Sequence, residues 1–330
     1  MLFRRVVLSF ALVSILTGCA AFNDLLPSNT STNFLSGREG LNGPVLAVKI
    51  DDTSMAHPQI GLEDADVIYI EQVEGGLTRL AAIFSSVIPQ RVGPVRSARI
   101  SDIEIVSQFG RVAFAYSGAQ RKLLPVIASS NLQDLGAQHE GPNIYTTDPN
   151  RTPPYAMVLR ADLLMQKVIE KKYQITSSKS VGSVFGELQK GGKPISSVVM
   201  HWPAATYSAI WSDTQKRWLL NHNNTPNLAE SGIHLGPTTL IIQMVSITLS
   251  EYKDKLGGVT PFSNTIGTGV AYVLRNGEVF ATTWHRENAE SGTTFTLKNG
   301  EVMNFDPGQI WIALTDREPD FTSRNSTKTK

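Results

Sequence analysis

Residues 196–318 consist almost entirely of short apolar runs separated by polar turns, and this pattern limits how the second half of the chain can fold. The runs are rich in β-branched and aromatic residues, which is typical of strands. Two of the turns carry Asn-Gly, at Asn276-Gly277 and Asn299-Gly300. This dipeptide favours a tight hairpin because both residues tolerate positive φ. The sequence therefore predicts a mostly antiparallel β domain over residues 195–318.

The first half of the chain mixes strand-like with helix-like segments. Strand-like runs occupy residues 43–51, 65–73, 79–87 and 111–118, and Gly75-Gly76 predicts a hairpin between the second and third of them. Helical spacing of apolar residues favours helices over residues 100–109 and 158–173. The sequence predicts an N-terminal mixed α/β domain over residues 43–180, a polar Gly-rich boundary after it, and an α+β fold for the whole chain.

The N-terminus is typical of an exported protein. Arg4 and Arg5 precede a short apolar run, which ends at Leu16-Thr17-Gly18-Cys19. This order of charge, apolar core and small residues predicts a secretory signal peptide over residues 1–18. Cys19 is the only cysteine in the chain, so an intramolecular disulfide is excluded.

Leu16-Thr17-Gly18-Cys19 resembles the bacterial lipobox, in which the cysteine is acylated and becomes the first residue of the mature chain. This resemblance implies a lipoprotein anchored through Cys19 to the extracytoplasmic face of the cell membrane, with palmitate-like acyl chains. An ordinary signal peptide that happens to contain a cysteine is the alternative. Residues 19–42 carry Ser, Thr, Asn and Gly with little apolar periodicity, which predicts a flexible tether, and the polar end of the chain predicts a disordered tail over residues 319–330.

Charge composition bears on the class of partner. The formal net charge is +1, whereas nucleic-acid-binding proteins usually carry a basic excess. The expected location outside the cytoplasm also argues against a nucleic-acid partner. We therefore expect no nucleic-acid partner. The sequence does not indicate whether the protein is a monomer or an oligomer.

Opposite charges are segregated along residues 51–101. Residues 51–74 contain acidic residues but no lysine or arginine, whereas residues 75–101 contain arginines but no lysine and no acidic residue. The acidic residues are Asp51, Asp52, Glu63, Asp64, Asp66, Glu71 and Glu74. The arginines are Arg79, Arg91, Arg96 and Arg99.

Two interpretations of this charge block remain open. In the first, the two halves neutralise each other: Glu71 or Glu74 meets Arg79 across the hairpin, and the loop arginines meet Asp51 or Asp66. In the second, Arg91, Arg96 and Arg99 converge on an external phosphate or carboxylate, with Ser97 as an additional donor. Arginine suits both interpretations because its planar fork makes paired hydrogen bonds to a carboxylate or a phosphate.

The candidate ligand-binding residues are therefore those of the charge block. They are Arg79, Arg91, Arg96, Arg99, Ser97, Glu71, Glu74 and Asp51. The sequence favours a lipoprotein that binds an anionic or glycan envelope ligand, or a partner protein, through this arginine loop. The alternative is a hydrolase or transferase of envelope polymers, in which Glu71 or Glu74 acts as acid or base beside an arginine clamp.

Other chemistry has weaker support in the sequence. No nucleophile elbow, zinc-protease motif or phosphate-binding glycine loop is present, and no cofactor is predicted. The six histidines are scattered without metal-site spacing, so no metal is predicted. Ser117, after a strand, is a minor candidate nucleophile. The five tryptophans lie in the second half and suit either a sugar ligand or the β-domain core.

The same charge block also carries a family resemblance. The stretch VKIDDTSMAHPQIGLEDADVIYIEQVEGGLTRLAAIF, followed by RVGPVRSAR and YSGAQ, resembles the N-terminal domain of the YerB-like bacterial lipoproteins. GTGVAYVLRNGEVFATTW and FDPGQIWIAL resemble the second domain of that family more loosely. The resemblance implies a two-domain lipoprotein and brings no assigned reaction.

Replacement of the lipobox cysteine tests the predicted anchor. In Cys19→Ser cells we expect the protein to leave the membrane fraction, because two or three acyl chains, at about 0.8 kcal/mol per buried methylene, are what hold it there. Cell fractionation with immunodetection measures this. A Cys19→Ser chain that stays in the membrane fraction like the wild type would contradict the anchor.

Overall fold

The computed structural model describes residues 31–255 and 257–324, and this part of the chain is built mainly from β-strands. The strands are β1 (Leu46–Asp51), β2 (Val67–Gln72), β3 (Thr78–Phe84), β4 (Arg91–Val92), β5 (Ala113–Ala115), β6 (Gln133–Asp134), β7 (Tyr145–Thr147), β8 (Met157–Arg160), β9 (Val184–Phe185), β10 (Lys193–Trp202), β11 (Ala205–Ser212), β12 (Arg217–His222), β13 (Thr225–Pro226), β14 (Thr239–Met244), β15 (Ile247–Lys253), β16 (Val259–Ser263), β17 (Gly267–Arg275), β18 (Glu278–Arg286), β19 (Thr294–Leu297), β20 (Asn304–Phe305), β21 (Ile310–Thr315) and β22 (Asp320–Ser323).

Helices are few and short in the described residues. The α-helices are α1 (Ile100–Ser107), α2 (Leu124–Ser129) and α3 (Ala161–Glu170), and single 3₁₀ turns lie at Ser54–Ala56, Leu62–Asp64, Glu74–Gly76 and Ala137–His139. The predicted α+β class is therefore corrected to mainly β. The long helix predicted over residues 158–173 is shorter because its first residues form β8, which pairs with β4 and β7.

One large sheet joins strands from both halves of the sequence. Its strand order is β13-β12-β11-β10-β18-β17-β14-β21-β2-β3-β1-β5-β6, with β19 beside β18 and β22 beside β10. The predicted β2–β3 hairpin is confirmed, as is the β17–β18 hairpin at Asn276-Gly277. Strand β2 also pairs in parallel with β21. Within the large sheet, this pairing joins the strands of the first half of the sequence to those of the second.

The central strands are buried on both faces. On β1, Leu46, Val48 and Ile50 face one hydrophobic core, whereas Ala47 and the preceding Val45 face the other. Sheets covered on both faces read as continuous apolar runs rather than as strict alternation. A charged residue in such a strand must therefore find its partners inside the protein.

Two segments predicted as flexible pack against the body where they are described. Leu35 is fully buried, and Ser36 donates through Oγ to Asp66 Oδ1 at 2.6 Å. Arg38 Nε lies 3.1 Å from the same Asp66 oxygen. At the other end of the chain, β22 pairs with β10. The predicted tether and tail are thus ordered over residues 31–42 and 319–324, because Asp66 and the edge of β10 offer them partners.

Other predictions fall on residues that are not described. The signal peptide, Cys19 and the tether up to residue 30 lie outside the described residues, as do residues 325–330. In the part of the chain that is described, no helix is long and apolar enough to cross a membrane.

Removal of a core side chain on β21 tests whether the two halves unfold together. Trp311 is fully buried and its indole N–H donates to Gln309 Oε1 at 2.7 Å. We expect Trp311→Ala to cost about 3–5 kcal/mol of unfolding free energy. Because β21 lies between β14 and β2, the loss should shift one common transition.

Urea unfolding followed by far-UV circular dichroism and by tryptophan fluorescence measures this transition. All five tryptophans lie at or after residue 202, so fluorescence reports on the second half alone. Trp211→Ala, at a partly exposed position, is the control with a smaller expected loss. Two separate transitions, of which only one shifts in Trp311→Ala, would contradict a single folding unit.

Candidate functional site: an arginine cleft

The loop of residues 93–99 is fixed by main-chain hydrogen bonds on both sides. The N–H of Arg96 donates to the carbonyl of Lys49 on β1 at 2.9 Å, and the N–H of Ser117 donates to the carbonyl of Arg96 at 2.9 Å. The loop therefore lies like an extra strand between β1 and the segment that follows β5. Its backbone, rather than side-chain contacts alone, sets where the arginines point.

A row of charged residues crosses the sheet beneath this loop. The strand register places Glu71 of β2 opposite Arg79 of β3, and Arg79 opposite Asp51 of β1. Lys49 is two residues before Asp51 and shares its face, because side chains alternate along a strand. Ala81 lies opposite Lys49 on β3, and its small side chain leaves room for Lys49 to reach across to Glu71.

Lys49 is the centre of a fully buried ion network. Its Nζ contacts Glu71 Oε1 and lies 2.8 Å from Asp102 Oδ1, and all three side chains are sealed from solvent. Burial lowers the pKa of Lys49 to about 8 in spite of the attraction of Asp102. Glu71 lies opposite Arg79 on the neighbouring strand, but its ion pair is with Lys49. Its Oε2 is buried without a hydrogen-bond donor.

Arg99 and Arg96 each pair with one internal carboxylate. Arg99 donates to Glu74 Oε2 from Nε at 2.8 Å and from Nη2 at 2.7 Å. Arg96 Nε pairs with Asp51 Oδ2, and its guanidinium carbon lies 5.7 Å from the centre of the Tyr155 ring. These two pairs match the interpretation in which the charge block neutralises itself.

Glu74 is held in its ionised form by this pairing. Burial acts to raise the pKa of Glu74, but the hydrogen bonds and charge of Arg99, together with donation from Thr260 Oγ1, lower it. The carboxylate is therefore an anion at neutral pH and orients Arg99.

Arg79 has no such partner. Its Nη1 donates to the Ser97 carbonyl at 2.9 Å, and within residues 31–255 and 257–324 no ion pair includes it, although its exposed fraction is only 9%. Burial and the repulsion of Arg99 and Arg96 lower the pKa of Arg79 to about 10. Three guanidiniums thus share two carboxylates at this point.

These three arginines open onto a cleft of about 790 Å³, which we call the arginine cleft. Six cationic and two acidic side chains line it, along with apolar residues such as Leu124 and Tyr252. The charged residues are Arg79, Arg96, Arg99, Arg121, Lys253, Lys255, Glu74 and Asp254. Gln120 Nε2 donates to the Lys253 carbonyl at 2.7 Å and so connects the wall from β15 to the loop after β5.

The structure brings together some predicted site residues and separates others. Arg79, Arg96, Arg99, Ser97 and Glu74 line the cleft, Asp51 supports it from below, and Glu71 is buried beneath it. Arg91 is not part of it. Its side chain is 40% exposed and lies 3.4 Å from Glu230 and 3.9 Å from Asp148.

Sequence reasoning missed several members of the site. Lys49 carried a signal, because it is a charged residue inside an otherwise apolar strand. Lys253 and Lys255 carried no signal in the sequence. They lie at the end of β15 and in the turn that follows it, far along the chain from the arginine loop. Among the described residues, no group of three metal-ligating side chains lines the arginine cleft. Three such side chains do come together outside the cleft, namely Asp52, His57 and His222.

Comparison with known proteins shows two family matches. Residues 32–174 match the N-terminal domain, and residues 198–312 the C-terminal domain, of a family described as a protein of unknown function, DUF3048. A Bacillus subtilis (strain 168) protein named "Putative lipoprotein YerB" is 22% identical over 286 residues, or 86% of this chain and 83% of that protein. The crystal structure of the YerB protein from Bacillus subtilis matches with a TM-score of 0.75 and 19% identity, over 88% of this chain and 99% of that one.

Removal of the buried lysine tests the network beneath the cleft. We expect Lys49→Met to lower the unfolding free energy by about 3–5 kcal/mol, because Glu71 and Asp102 would stay buried without their cation. Urea unfolding measures this loss, with the exposed Lys193→Met as the control. A Lys49→Met chain as stable as Lys193→Met would show that the network does not stabilise the fold.

Proposed function

This chain belongs to the YerB-like family of bacterial lipoproteins, and on that premise we propose that it binds an anionic envelope ligand in the arginine cleft. In this proposal a lipid on Cys19 holds the protein at the extracytoplasmic face of the cell membrane. The ligand presents phosphate or carboxylate groups, either on an envelope polymer or on a partner protein.

The observation that carries the proposal is the unpaired charge of Arg79. A buried cation without a carboxylate partner, beside two more guanidiniums, costs stability in the free protein. An anion in the cleft would supply the missing partner to Arg79 and would relieve its repulsion with Arg96 and Arg99. Groups kept in strained electrostatic surroundings within a cleft are common at functional sites.

The lining of the cleft favours an anion over a neutral sugar. Its cationic side chains outnumber the acidic ones, and Arg121, Lys253 and Lys255 place further charge at exposed positions around the three arginines. Aromatic faces suit sugar rings, but four of the five tryptophans are buried, namely Trp202, Trp218, Trp284 and Trp311. Phosphate and carboxylate are the groups that guanidinium forks recognise best.

The carboxylates of the site favour binding over catalysis. Glu71 is fully buried and contacts Lys49, so it has no route to a substrate in the cleft. Glu74 is committed to Arg99, and its pKa is lowered, whereas a general acid at neutral pH needs a raised one. We therefore propose a binding protein and not the envelope-polymer hydrolase or transferase.

Replacement of Arg79 separates binding from folding. In the mature chain with Cys19→Ser, we expect Arg79→Met to weaken the binding of linear polyphosphate or polyglutamate about tenfold or more, or roughly 1.4 kcal/mol. The unfolding free energy should be unchanged or higher, because a repelled cation is removed. Calorimetric titration at two salt concentrations measures the binding, which should weaken at high salt.

Arg91→Met is the matched control, because Arg91 lies outside the cleft and should not change the affinity. Dextran is the neutral probe, for which we expect no binding. Equal loss of affinity in both arginine variants, or binding of dextran that Arg79→Met leaves intact, would overturn the proposal.

A further inference from the structure

A second polar cluster lies next to the arginine cleft but on the other side of the β1 and β3 ends. Asp52 follows β1, His57 lies in the next turn, and His222 ends β12. Although the three residues are far apart in the sequence, one ligand atom from each lies within 4.8 Å of the others. Asp52 and His222 are buried, and the His57 side chain is 17% exposed.

Both histidines present the same nitrogen to the same carboxylate. His57 Nε2 lies 3.4 Å from Asp52 Oδ1, and His222 Nε2 lies 3.9 Å from Asp52 Oδ2. The two imidazole rings are stacked, with centroids 4.5 Å apart and an angle of 12° between the planes. In a tetrahedral zinc site, with bonds near 2.0–2.1 Å, ligand atoms are separated by about 3.3 Å. To hold an ion, the ligand atoms have to come closer, from separations of up to 4.8 Å, and the two imidazole rings have to turn out of their stack so that both nitrogens face one point.

The carboxylate of Asp52 is positioned by neighbours, as a metal ligand should be. Tyr207 Oη donates to Oδ1 at 2.6 Å, and Thr78 Oγ1 donates to Oδ2 at 2.6 Å. Outer contacts of this kind fix the orientation of metal ligands and are themselves important for affinity.

Unsatisfied polar atoms at the cluster point to a missing partner. The Gln59 amide nitrogen lies 3.2 Å from Asp52 Oδ1 and 3.1 Å from His57 Nε2, while its Oε1 is buried without a donor. If the amide turns over, Oε1 takes the place of the nitrogen between Asp52 and His57. A cation there would satisfy this oxygen, which makes Gln59 a candidate fourth ligand.

Asn227 adds a second unsatisfied group nearby. It is fully buried and approaches the Tyr207 hydroxyl, yet neither Oδ1 nor Nδ2 completes a hydrogen bond. Buried polar groups are normally satisfied, so each exception requires an explanation.

We propose that Asp52, His57 and His222 bind one divalent transition-metal ion, and that Zn²⁺ fits the site best. Two imidazole nitrogens and a carboxylate oxygen are a donor set that zinc favours over magnesium or calcium, which prefer oxygen ligands alone. The ion would connect the turn after β1 to β12, and so would tie the first half of the sequence to the second.

Zinc titration of the full mature chain, with Cys19→Ser and prior treatment with EDTA, tests the site. We expect one Zn²⁺ per chain by equilibrium dialysis with elemental analysis, and a rise in Tm on adding Zn²⁺ but not Mg²⁺. His57→Asn and His222→Asn should each weaken zinc binding by at least about tenfold. Tyr207→Phe, which removes only a donor to Asp52, should weaken it by about 10–100-fold.

His201→Asn is the matched control, because His201 Nε2 also lies beside a carboxylate, at 2.9 Å from Asp320 Oδ2, in a pair that has no third ligand among the described residues. Its zinc binding should equal that of the wild type. The EDTA-treated His57→Asn chain should keep the unfolding transition of the EDTA-treated wild type, which separates loss of zinc from loss of fold.

Two results would overturn the proposal. One is a wild-type chain that takes up no stoichiometric zinc. The other is zinc uptake that His57→Asn and His222→Asn both leave unchanged. Neither result depends on anion binding in the arginine cleft, which Arg79→Met tests separately.

Discussion

The buried charge of Lys49 is the constraint on which the surrounding structure depends. A lysine in the middle of a strand covered on both faces must be compensated internally, and Glu71 and Asp102 do so. Asp102 also accepts a hydrogen bond at 2.6 Å from the N–H of Arg99, immediately before α1. The network thus fixes the start of α1, the end of β2 and the loop that carries the arginines.

The same network explains how three arginines can lie together. One lysine with two carboxylates leaves an excess of one negative charge directly beneath them. Asp51 and Glu74 attract Arg79 from a distance, but their direct partners are Arg96 and Arg99. Arg79 stays without a direct carboxylate partner among the described residues. Its hydrogen-bonding capacity is still largely unused, and it faces the cleft.

Local patterns predicted much of this fold, and the long-range contacts escaped them. The β2–β3 hairpin follows from strand periodicity around Gly75-Gly76, because a turn and its flanking strands are encoded within a few residues. The parallel pairing of β2 with β21 has no local signal. It depends on which faces can be buried at the same time, and this is settled only when the whole sheet assembles. For the same reason the sequence predicts that Arg91 converges with Arg96 and Arg99, and cannot show that of the four candidate arginines it is Arg79 that lies with them, through the register of β3.

The two proposed sites share the ends of the same two strands. Asp51 and Asp52 are consecutive, and one serves Arg96 while the other lies with His57 and His222. Thr78 and Arg79 are also consecutive and also belong to different sites: Thr78 donates a hydrogen bond to Asp52, whereas Arg79 lines the arginine cleft. Because successive side chains of a strand point to opposite faces, one pair of strand ends supplies both an anion-attracting and a cation-attracting surface. Asp51 and Asp52 are joined by a single peptide bond, so the two proposed sites are built on the same piece of backbone and differ in which face of it they use.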